Sequence, residues 1–200
     1  MADTLDYPNL RVELAPAIVA IDVSDGEHAI VAYNGTLWNI TKPWLGNDVL
    51  VYLKRPPDRR TSIHALRLGN LDDTEVLPPS GRVSYVCGSP QGSRFAAIDG
   101  GTLLVGELAN VREIRAVADN VCAATWISAR EVAIGMPSGE LAILNVLTGE
   151  ATALTRLSNR VDHLEYAPKL GLVWRAADQV MALSLDSRQS RVLYSLANLG

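Results

Sequence analysis

The chain has 200 residues, 48% hydrophobic and 20% charged, which suits one domain with a true core and excludes a disordered chain. Its net charge of −4 argues against the broad cationic surface of a general nucleic-acid or membrane-surface binder. Two cysteines cannot build a disulfide scaffold or a four-cysteine zinc site, no apolar run approaches the roughly 18 residues that span a bilayer, and Met1-Ala2-Asp3-Thr4 does not open a secretory signal, so a soluble, cytoplasmic protein is expected.

In chain order, residues 1–15 read as an N-terminal tail. Residues 16–34 read as a strand pair, IVAIDV and HAIVAY, turned by Ser24-Asp25-Gly26-Glu27. Four longer units follow, at 37–79, 83–120, 121–160 and 161–197. Each runs strand, turn, strand, tight Gly turn, strand, polar turn, strand. The clearest is VCAATWIS, REVAIGM, PSGELAILNV, LTGEATALTRL, beginning at Val121. Starts at Val83, Val121 and Val161 lie 38 and 40 residues apart, close to the roughly 40–45 of a four-stranded propeller blade. The first unit is stretched by an insertion, Arg55-Pro56-Pro57-Asp58-Arg59-Arg60, between its second and third strands.

Leu141, Ile143 and Asn145 alternate with Ala142, Leu144 and Val146, a strand apolar on both faces that calls for cover on both. Asp99-Gly100-Gly101 and Pro137-Ser138-Gly139 supply tight hairpin turns, and Thr148-Gly149 a reversal into a fourth strand. The spacing of Leu108, Val111, Ile114, Val117 and Val121 is also helical, as is that of Val192, Leu196 and Leu199, so 108–120 and 188–199 are open to either reading. A β-sandwich is the alternative fold, but it does not account for the constant period.

On these residues, GSPQGSRFAAIDGGTLLVGEL and SAREVAIGMPSGELAILNVLTGEAT, the chain resembles WD-repeat and related β-propellers over roughly 37–196. The resemblance implies an all-β, propeller-like domain over 1–200, with about four four-stranded blades plus the N-terminal pair. Asn145-Val146 and Glu107-Leu108 stand where that family ends its third strand in Trp-Asp, and no known peptide site is carried over. Four blades and two strands make an awkward total for a closed ring, so a homo-oligomer or a strand-supplying partner protein is expected.

Chemistry is sparse. There is no Gly-x-Ser-x-Gly elbow and no phosphate-cradling Gly-x4-Gly-Lys loop, and no cofactor, metal or small-molecule substrate is implied. His28, His64 and His163 are isolated, although His163 and Glu165 share one side of a strand and could form an acid/base pair or a rim hydrogen bond. Cys87 and Cys122 occupy equivalent first strands and read as buried, inert thiols. Trp38, Trp44, Trp126 and Trp174 read as core packing rather than a ligand platform. Without a signal peptide, the acceptor patterns at Asn34 and Asn39 carry no meaning.

The candidate contact surface is the stiff, cationic loop with Lys54, Arg55, Arg59 and Arg60, because ordered loops on rigid scaffolds carry binding function. An acidic run, Asp72-Asp73-Thr74-Glu75, lies on the same blade and can neutralise it. The expected function is a non-enzymatic protein-interaction scaffold. Two alternatives are an enzyme with an axial site drawn from His163, Glu165, Cys87 and Asp22, and nucleic-acid contact through Arg55–Arg60.

Overall fold

A computed structural model describes the chain apart from 1–3, 8–9, 14–17, 22–27, 33–35, 38–43, 46–48, 56–59, 68–69, 71, 81, 91–93, 108–109, 177 and 196–200, with side chains from Val49 onward except 55, 78–79 and 110–112. The described residues form twenty-one strands and no helix. Two hairpins come first, β1 (Thr4–Tyr7) with β2 (Leu10–Glu13) and β3 (Ile18–Ile21) with β4 (His28–Ala32). The stretch read as a tail therefore holds a strand pair of its own.

The first sheet contains β5 (Thr36–Leu37), β6 (Trp44–Leu45), β7 (Val49–Arg55), β8 (Thr61–Arg67) and β9 (Asp72–Ser80), ordered β5-β7-β8-β9 with β6 also paired to β7. The second follows chain order as β10 (Val83–Gly88), β11 (Arg94–Asp99), β12 (Thr102–Glu107) and β13 (Asn110–Ala118). The third is β14 (Ala123–Trp126), β15 (Glu131–Gly135), β16 (Glu140–Asn145) and β17 (Ala151–Arg156). The fourth is β18 (Leu164–Ala167), β19 (Gly171–Ala176), β20 (Gln179–Leu183) and β21 (Ser190–Ser195). Every pairing is antiparallel. The fold is all-β and propeller-like, with four successive sheets rather than the two of a sandwich.

The core lies between consecutive sheets, because inner strands such as β11 and β15 alternate apolar side chains to both neighbours. Val51, Leu53 and Ile63 of the first sheet meet Val86, Phe95 and Ala97 of the second. Cys87, Ile98 and Leu103 meet Trp126, Val132 and Leu144 of the third. Ala133 and Leu141 meet Leu164, Leu172 and Trp174 of the fourth. Gly100 and Gly101 (φ 59° and 91°) and Gly139 (φ 86°) make the tight turns at the expected places, in a backbone region that side chains resist.

One repeat feature was hidden in the sequence. The outer strand of every sheet gains an extra residue against its neighbour at Val76, Val117, Leu154 and Leu193, and β9 and β13 each shift register a second time. Such a bulge bends the edge away from further pairing. The first three of these side chains pack into the core shared with the following sheet, whereas Leu193 is 36% exposed. Of the two ambiguous segments, the described parts, Asn110–Ala118 and Ser190–Ser195, are strands. Residues three apart in a strand face opposite sides, so Ile114 packs toward the first sheet and Val117 toward the third, where a helix would have set both on one face. Among the described residues no helix is long and apolar enough to cross a membrane.

Candidate interaction site

The cationic loop joins β7 to β8, whose alternation sorts them into two unlike faces. Val49, Val51, Leu53, Ile63 and Ala65 turn to the second sheet. Tyr52, Lys54, Ser62 and His64 share the opposite face, because Tyr52 pairs across the ladder with His64 and Lys54 with Ser62. The bulge at Val76 sets His64 opposite Glu75 on β9 and brings Asp73 within reach.

These side chains form one hydrogen-bonded group. Asp73 accepts from the Tyr52 hydroxyl (3.0 Å) and from Lys54 Nζ (3.3 Å) on one oxygen, and its other oxygen lies 3.0 Å from His64 Nδ1. His64 Nε2 is 3.1 Å from Ser62 Oγ and 3.9 Å from Glu75 Oε2. Ser62 Oγ is also 3.4 Å from the Lys54 carbonyl oxygen. The Tyr52 and His64 rings lie against each other with centroids 5.6 Å apart. Burial, and then the charge of Asp73 and its hydrogen bond, push the Tyr52 phenol far above its usual range, so it remains a proton donor.

The order Ser62, His64, Asp73 is that of a nucleophile, base and carboxylate relay. Ser62, however, is only 3% exposed and His64 8%. Three clefts of about 660, 510 and 430 Å³ open elsewhere on the described surface, and Ser62 lines none of them. The group acts as a clasp across β7, β8 and β9, at the root of the cationic loop.

Of the four predicted contact residues, Lys54 and Arg60 stand at the two ends of the loop. Lys54 is held by Asp73, so the acidic run does neutralise part of the loop, and Arg60 is exposed. Arg55 ends β7 but its side chain lies outside the described residues, as does Arg59 altogether. The sequence reading treated His64 as isolated and missed the clasp. Its signal was two i, i+2 pairs, Ser62-x-His64 and Asp73-x-Glu75, on adjoining strands.

The axial constellation is not assembled among the described residues. His163 and Glu165 do pair, at 3.5 Å, beside the cleft of about 660 Å³ that Arg160, Trp174 and Gln179 also line. Cys87 is instead buried between the second and third sheets, and Asp22 lies outside the described residues. Cys122 departs from expectation in being only half-buried. Its Sγ lies within hydrogen-bond range of the Gly135 and Val161 carbonyls, and burial raises its pKa, keeping it a thiol. Trp126 and Trp174 are core residues, and the Trp126 indole donates to the Cys87 carbonyl at 3.3 Å. The side chains of His28, Trp38 and Trp44 lie outside the described residues.

No family model matches the chain, and no curated protein matches it by sequence. Solved structures do resemble it. TolB from Acinetobacter baumannii is 18% identical with a TM-score of 0.64, covering 88% of this chain and 48% of TolB. A structural-genomics protein of unknown function from Bacteroides thetaiotaomicron is 15% identical with a TM-score of 0.58, covering 76% of this chain and 42% of that one. An auxiliary nutrient binding protein from the same organism is 10% identical with a TM-score of 0.59, covering 79% and 41%. The chain thus spans less than half the length of each of these three structures. At such identities the likeness establishes one thing, a propeller-like fold built of repeated antiparallel sheets.

Proposed function

We propose that the chain is a non-enzymatic protein-interaction module, acting as a subunit of a larger assembly and engaging its partner through the Lys54–Arg60 loop. The observation that supports this reading is a contrast within the repeat. The corresponding turns of the second and third sheets are tight glycine turns tied by backbone bonds to neighbouring connections, Gly100 to Arg82 and Leu157 to Gly139. The first sheet instead has a longer cationic loop with two prolines, rooted in a polar clasp whose Tyr52, Ser62 and His64 are buried. A stiff loop held at its base loses little entropy on binding, and its guanidinium groups suit carboxylates on an acidic protein surface.

The test replaces Lys54, Arg55, Arg59 and Arg60 together by serine and compares cross-linked partners from the native cell. A partner captured at the loop by the parent chain and lost by the variant supports the reading. An unchanged set of cross-links would sink it. Nucleic-acid contact is separated in the same experiment by salt-dependent retention on RNA, which the net charge of −4 disfavours.

A further inference from the structure

The clasp contains more acceptors than one hydroxyl proton can serve. Ser62 Oγ lies 3.1 Å from His64 Nε2 and 3.4 Å from the Lys54 carbonyl oxygen. A serine hydroxyl carries a single proton, so it donates to one of these at a time. His64 decides which. Its Nδ1 faces the Asp73 carboxylate at 3.0 Å, an acceptor, so Nδ1 carries a hydrogen in either charge state. With His64 neutral, Nε2 is then a bare acceptor and takes the Ser62 proton. With His64 protonated, Nε2 becomes a donor, Ser62 Oγ accepts from it, and the hydroxyl proton turns to the Lys54 carbonyl.

We propose that His64 is a proton-driven switch which, through the Ser62 hydroxyl, adds a hydrogen bond at the Lys54 carbonyl, at the root of the cationic loop, when protonated and withdraws that bond when neutral. This rests on reading that loop as the contact site, and it adds the site's regulation. The groups facing His64 are suited to the change. Tyr52 and Lys54 come from β7, Ser62 from its own strand, and Asp73 and Glu75 from β9. Two carboxylates lie near enough to share the imidazolium charge, while Tyr52 keeps its proton and goes on holding Asp73 in place. Lys54 is the penultimate residue of β7, next to the start of the loop, so a bond made or broken at its carbonyl acts on the loop's base.

The experiment follows carbon and nitrogen resonances of labelled protein by NMR between about pH 8 and pH 5, the interval in which histidines titrate. The Lys54 carbonyl carbon should move downfield on the same curve as the His64 ring nitrogens. In Ser62→Ala the His64 resonances should still titrate while the Lys54 carbonyl stays fixed, and Ser62→Thr should restore the movement. A Lys54 carbonyl that is flat in the parent protein, or that still follows His64 in Ser62→Ala, would overturn the proposal. No partner enters this measurement, so the switch can fail while the contact reading stands. The cross-linking comparison tests that reading alone.

Discussion

The first sheet and the three that follow share a plan but spend their second face differently. In the second and third sheets both faces are apolar, each locked into a neighbour by residues such as Phe95, Cys87, Trp126 and Leu141. In the first sheet the face of Val51, Leu53 and Ile63 is of that kind, while the other sets Tyr52, Lys54, Ser62, His64 and Asp73 beside the buried Leu50 and Leu66. Apolar faces stabilise without direction, whereas a buried polar face is tolerated only when its hydrogen bonds are made. The departure from the repeat coincides with the departure in loop length. Together they mark the first sheet as the place where the scaffold carries something besides its own stability.

The comparison breaks most sharply at the joint between the two kinds of sheet. Phe95 is fully buried between the first and second sheets, so Phe95→Ala should cost about 3–5 kcal/mol, read as a fall in the denaturant midpoint with unchanged slope. A smaller loss would mean that the first sheet is not held by the packing that joins the others. Gly106, the ladder partner of Phe95 on β12 of the same sheet, tests the packing around that ring. A methyl group there would stand 2.6 Å from the Phe95 ring, so Gly106→Ala should cost about 1–3 kcal/mol. Combined with Phe95→Ala its penalty should shrink to what the Ile114 side chain, 3.0 Å from the added methyl, still exacts.

The part of this contrast that was legible in the sequence is the part written in period. Strand alternation and the spacing of Val83, Val121 and Val161 gave the four sheets, and the insertion at Arg55–Arg60 stood out against them. The bulges were illegible as bulges. An apolar residue three positions after another, as Val117 follows Ile114, reads as one face of a helix or as the two faces of a strand, and nothing in that spacing marks the extra residue. The clasp was illegible for the same reason. Ser62-x-His64 and Asp73-x-Glu75 show which residues share a face, but which of them meet depends on a register displaced by the bulge at Val76.

The bulges sharpen the comparison at the other end of the series. Leu154 and Leu193 occupy the same place in the third and fourth sheets, one packed against the next sheet's core and the other 36% exposed. Leu154→Ala, at a half-buried site, should cost about 1–2 kcal/mol, part of the penalty for a fully buried leucine. Leu193→Ala should stay within about 0.5 kcal/mol. Equal losses in thermal unfolding would show that the outer rim of the fourth sheet is covered as its equivalents are.

The smallest expected effect bears most directly on the clasp. Tyr52→Phe keeps the ring against His64 and removes only the hydrogen bond to Asp73, a loss of about 1 kcal/mol near neutral pH. Its signature lies in alkali. An ordinary phenol ionises near pH 10, and in the folded protein burial and Asp73 hold the Tyr52 proton well beyond that. Above about pH 10 the unfolded chain releases this proton while the folded chain retains it, so the stability gained at Tyr52 is full below that pH and declines as the pH rises further. Unfolding free energies of parent and Tyr52→Phe should therefore run parallel from neutral pH to about 10 and converge above it. Parallel curves throughout would mean that the hydroxyl meets water, and that the first sheet's polar face is not the closed clasp its geometry describes.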